Sequence, residues 1–148
     1  MRAARGLAVA ALSAVLLLAG CAGPDPELVT EKARAVFDGL VEQAAETDPA
    51  VLRTLEAGEA AEQACTGEDD RSQTAFTATG TLSITADDGE TRRIRDSLGD
   101  TLDPEEWTTI LSAAAEQDAW ISEDDVVVAL TADGPALVIA VFTPCLPS

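Results

Sequence analysis

The sequence predicts an α+β domain, an antiparallel four-stranded sheet built from two hairpins and packed on two or three helices in the order α-(α)-ββ-α-ββ. Three observations carry this. An apolar stripe with helical spacing opens the domain, a threonine-rich stretch then alternates strictly, and an Asp-Gly step joins two apolar runs near the end. Runs of helix and strand that do not alternate regularly belong to antiparallel sheets with helices to one side.

Residues 28–148 form the domain. From Pro26 to Glu46, Val29, Ala33, Val36, Phe37, Leu40, Val41 and Ala44 recur three and four apart. That spacing lays one apolar stripe along a helix. Glu27 and Glu31 suit its positive N-terminal end. Asp48-Pro49 then reads as cap and first turn of a shorter helix with Val51, Leu52 and Leu55 buried. Residues 66–73 read as a loop. Phe76, Ala78, Gly80, Leu82 and Ile84 alternate with Thr77, Thr79, Thr81, Ser83 and Thr85, which predicts a strand with one face buried. Asp87-Asp88-Gly89 supplies a tight turn. A return strand over 91–98 would carry Ile94 and Leu98 inward, Arg93 and Arg95 outward.

Asp103 and Pro104 open the next expected helix, with Glu106 at the capping-box position and Trp107, Ile110, Leu111 and Ala114 on its apolar face. Strands over 126–131 and 136–143 complete the sheet, joined by Asp133-Gly134 and stopped by Pro144. The run from Ala136 to Phe142 is apolar on both parities, as expected of a central strand. Trp107 and Trp120 are expected in the core.

Ahead of the domain stands an export signal. Residues 1–20 combine Arg2 and Arg5 with an uncharged, apolar run that ends in small residues. Such a segment is a secretory signal, and the run falls short of the about 20 residues of a transmembrane span. Leu18-Ala19-Gly20-Cys21 matches the lipobox of bacterial lipoprotein precursors, [LVI]-[AST]-[GA]-C. That resemblance implies a diacylglyceryl group on the Cys21 thiol, cleavage before Cys21, and anchoring at the outer face of the cell membrane. Two acyl chains give stable anchoring where one does not. Residues 21–27 would be the tether.

The chain holds 9 basic and 27 acidic residues, net −18. Removal of Arg2 and Arg5 with the signal leaves seven basic residues against 27 acidic, or −20. Such a charge opposes contact with nucleic acid or an anionic surface. Of the three cysteines, Cys65 and Cys145 remain after lipidation. An even pair in an exported chain favours a disulfide.

The catalytic inventory is thin. There is no histidine, the commonest base and metal ligand. A serine triad is therefore impossible, and the ten glycines are scattered rather than gathered into a phosphate loop. Lys32, the single lysine, reads as a solvated partner for acids of its helix. The clusters Glu68-Asp69-Asp70 and Glu123-Asp124-Asp125 lack the alternate spacing of a calcium loop. No cofactor and no metal site is expected. The basic cluster Arg92, Arg93 and Arg95 admits two readings. One is neutralisation and protection of a sheet edge. The other makes Arg93 and Arg95 candidate contacts for an anionic ligand, extended by the threonine face of the preceding strand.

"QACTGEDD", "LDPEEWTTIL" and "VFTPCLPS" resemble the small LppA-like lipoproteins of actinobacteria. The resemblance implies an anchored extracytoplasmic α+β domain. The expected role is non-catalytic: binding or adaptation, with an envelope protein as candidate partner. The alternative is a small-molecule or lipid carrier with a pocket between sheet and helices.

Overall fold

A computed structural model describes residues 23–66, 72–85, 87–110 and 114–147. The signal, Cys21, the cluster Glu68-Asp69-Asp70 and Leu111 lie outside the described residues. The fold is α+β, and its antiparallel sheet is larger than the sequence suggests. Two helices accompany an eight-stranded sheet among the described residues.

Helix α1 spans Pro26–Ala45. Asp25 caps it, accepting from the Glu27 amide at 3.0 Å. The expected stripe is the buried face, with Val29, Ala33, Phe37, Leu40 and Ala44 inward. Strands β1 (Leu52–Ala57) and β2 (Ala61–Thr66) come next, then the long β3 (Ser72–Ile84). The short helix expected after Asp48 is not formed. Asp48 closes one turn, accepting from the Ala50 amide on its side chain and from the Leu52 amide on its carbonyl, each at 2.9 Å. The chain then extends, because pairing with β3 satisfies its backbone and still half-buries Leu52 and Leu55, opposite Ile84 and Leu82.

Helix α2 spans Asp88–Gly99, in place of the expected return strand. Asp87 is its N-cap rather than a hairpin corner, accepting from the Glu90 amide at 3.1 Å. Ile94 and Leu98 fit the alternation of a strand, but together with Thr91 they form one helical stripe. The place beside β3 goes instead to the apolar β7. Residues 107–110 show the opposite exchange. Asp103 closes a single turn, accepting from the Glu105 amide on its side chain at 2.9 Å and from the Trp107 amide on its carbonyl at 2.8 Å. Strand β4 (Trp107–Ile110) then begins, consistent with two threonines and an isoleucine.

Strands β5 (Gln117–Ser122), β6 (Val127–Asp133), β7 (Ala136–Phe142) and the two-residue β8 (Leu146–Pro147) complete the sheet. Its order is β1-β3-β7-β6-β5-β4, with β2 and β8 also paired to β3. The β6–β7 hairpin falls where expected, and Gly134 takes a positive φ of 55° at its turn. Both helices lie on one face of the sheet. Beneath them Leu82, Leu130, Leu137, Ile139 and Val141 are fully buried, and Trp107 joins this core with Trp120 packed against it. No described helix is long and apolar enough to cross a membrane.

Candidate functional site

Arg93 and Arg95 do not act together. On a strand they would share a face, but two positions along a helix turn them apart. Arg93 is 72 % exposed and pairs with Glu90 one turn back. It borders an open cleft of about 370 Å³ between the end of α1 and α2, together with Gln43, Glu46, Asp48 and Ser97. Arg95 turns towards the sheet, where its Nε lies 2.8 Å from Asp118 of β5 and its Nη2 2.8 Å from Asp96. Its Nη1 is buried without a hydrogen-bond partner. Arg92 pairs with Glu116 at 2.9 Å, which holds its pKa above the ordinary arginine value. The threonine face of β3 lies on the far side of the sheet from all three, so it extends no arginine surface.

Lys32 is clamped by acids remote in sequence rather than by those of its own helix. Its Nζ lies 2.8 Å from Glu106, before β4, and 3.1 Å from Asp124, in the turn between β5 and β6. It also stands 5.6 Å from the centroid of the Trp107 ring. Burial opposes its charge, and the hydrogen bonds and charges of Glu106 and Asp124 outweigh that, so its pKa is raised. Asp124 is thus engaged by Lys32, while Asp125 takes a positive φ of 60° within its turn.

Cys65 and Cys145 are disulfide-bonded, with Cα atoms 5.9 Å apart and a sequence separation of 80. The bond ties β2 to the segment between β7 and β8. On the helix side a groove of about 500 Å³ runs between the start of α1 and the end of the sheet, lined by Thr30, Arg34, Glu62, Thr74 and Leu146. The Arg34 guanidinium sits 5.1 Å from the Phe76 ring centroid.

The feature that strand-by-strand reading of the sequence misses is the other face of the sheet. Alternation sends one set of side chains to the helices and the other set away from them. The register aligns the second set in rows. One row runs Thr108, Ile121, Val127, Phe142, Thr77. The next runs Ile110, Ala119, Ala129, Ala140, Thr79. A third holds Gln117, Thr131, Val138 and Thr81. None of these residues is charged. Asp133 and Glu56 stand only at the margins, on the end of β6 and on the outermost strand β1. No described helix covers this face, and Phe142 on it is 40 % exposed. Two cues to it are present in the sequence, the threonines of β3 and the double apolar parity of β7.

No family model and no curated protein matches the chain. Its fold is similar to the crystal structure of a DUF4853 family protein from Actinomyces odontolyticus, with a TM-score of 0.54 and 14 % identity over 82 % of this chain and 68 % of that one. At that identity the likeness is one of fold.

Proposed function

We propose that this chain is a non-catalytic binding or adaptor module, lipid-anchored through Cys21 at the outer face of the cell membrane. The reading keeps its place among the LppA-like lipoproteins as part of the proposal. One observation carries the binding role, the uncharged open face of the sheet on a chain with 27 acidic residues. A sheet face that no described helix covers, uncharged and with apolar side chains in contiguous rows, exceeds what isolated surface residues explain, and such patches mark sites of protein contact. The carrier alternative draws less support, since the interior between sheet and helices is filled by buried Leu, Ile and Val, and the groove at the start of α1 is lined largely by polar and charged residues.

The test is photo-crosslinking in cells from the anchored protein, with the reactive residue at Thr79 on the open face or at Glu42 on α1. Recurrent protein adducts from Thr79 and not from Glu42 support the reading. Equal, unspecific labelling from both positions refutes it. Fatty-acid labelling that survives Cys21→Ala would separately remove the anchor.

A further inference from the structure

We infer that the open sheet face takes a second copy of this chain, sheet against sheet about a two-fold axis. The inference rests on the binding role proposed for that face and names its occupant.

The register supplies the argument. On each of the three central strands the alanine row and its neighbour hold a small residue beside a large one. The pairs are Ala119 and Ile121 on β5, Ala129 and Val127 on β6, Ala140 and Phe142 on β7. Alanines in line across three strands make a trough, and the larger side chains two positions away make a ridge parallel to it. A two-fold axis in the contact plane, running between ridge and trough, lays each copy's ridge in the other's trough. All three strands mesh under one operation, which is the self-complementarity a closed dimer requires. Sheets packed in this way stand about 10 Å apart with interdigitated side chains.

Charge permits this occupant on that face and opposes it elsewhere. Two copies near −20 each repel one another on most approaches, and the open face is where they can meet without opposing carboxylates. Area permits it. Six strands about 4.8 Å apart and about 20 Å long give roughly 500 Å² per copy. Two copies bury roughly 1,000 Å², the lower bound of a specific interface. Anchoring both copies in one membrane raises their effective concentration, so an interface at that bound suffices.

The test uses the anchored full chain in native membranes. Thr79→Cys adds a reporter thiol on the face, joined across copies by a bis-maleimide about 10 Å long; Glu42→Cys on α1 is the control. The expected result is a band of twice the chain mass from Thr79→Cys alone. Ala140→Phe in the reporter background sets Phe against the partner's Phe142 and should reduce that band at least tenfold. Ala140→Phe with Phe142→Ala exchanges ridge and trough and should restore it. Resistance to proteolysis confirms that each variant is folded. A variant that fails this check is replaced by Thr79→Lys, read by crosslinking from Thr77→Cys in the Phe142 row, the other row beside the axis, which should likewise abolish the band.

Three outcomes overturn the inference. One is no doubled band. Another is a doubled band equally strong from Glu42→Cys. The third is a band strengthened by Ala140→Phe, as a merely sticky surface would give. Loss of self-crosslinking while Thr79 still captures a different protein would refute the dimer and leave the binding role standing.

Discussion

Lys32 shows how one residue fixes the start of α1 relative to the sheet. Its ammonium is shared between Glu106 and Asp124 and lies over Trp107, so a single side chain joins α1, the approach to β4 and the β5–β6 turn. The acids are 51 % and 39 % exposed, so water can solvate them when the lysine is removed. The loss is therefore modest, about 1 kcal/mol for Lys32→Met, near the upper range of partly exposed ion pairs. The raised pKa sets its pH dependence. A lysine whose pKa rises on folding contributes fully below its unfolded value of 10.5 and loses the contribution as pH climbs through the higher folded value. Urea unfolding should therefore separate Lys32→Met from the wild type at pH 8, and the gap should close at strongly alkaline pH. A gap that stays constant over that range would assign the effect to packing rather than charge.

At the scale of elements, α2 is seated by a glycine. A Cβ on Gly99 would stand 2.7 and 2.8 Å from two ring atoms of Trp120 on β5. In an open helix Gly→Ala gains up to about 1 kcal/mol. Here the ring is held against the core, and overpacking of this kind costs about 1–3 kcal/mol. Gly99→Ala should lower the urea midpoint and alter the tryptophan fluorescence. A raised midpoint would show that Trp120 can move aside.

The same helix shows why local sequence patterns mislead. Ile94 and Leu98 are four apart, a spacing shared by helix and strand, and Asp87 suits a hairpin corner as well as a cap. Asp48-Pro49 and Asp103-Pro104 each close a single turn and then feed the strands β1 and β4 at the two ends of the sheet path. A cap signals a turn, and whether a helix or a strand comes after it depends on partners distant in sequence. α1, β3 and the β6–β7 hairpin are legible because each states its own period. β5 is not, since Asp118 interrupts its apolar face to meet Arg95. The open face is half legible. Its threonines alternate visibly, but the row of alanines exists only through the register of strands that no local pattern reveals.

For the whole molecule, the Cys65–Cys145 bond is a covalent constraint between segments 80 positions apart. β2 and β8 pair only with β3, and β8 contributes two residues, so both depend on the link more than the β6–β7 hairpin does. Closing a loop of 80 residues removes denatured-state entropy worth ~4.5 kcal/mol in the chain-entropy model. Domains of this size are stable by about 5–15 kcal/mol, so reduction removes a large share without abolishing the fold. The core beneath the two helices is built chiefly from β3, β6 and β7 and does not use the cysteines. Reduction, or the pair Cys65→Ala and Cys145→Ala, should lower the unfolding free energy by several kcal/mol. Amide exchange should accelerate most in β2 and β8, while β6 and β7 remain the slowest to exchange. If reduced and oxidised protein unfold at the same urea concentration, the bond constrains nothing that packing does not already hold. If every strand accelerates equally, the sheet is a single cooperative unit, and its uncharged face is lost together with β2 whenever the disulfide is cut.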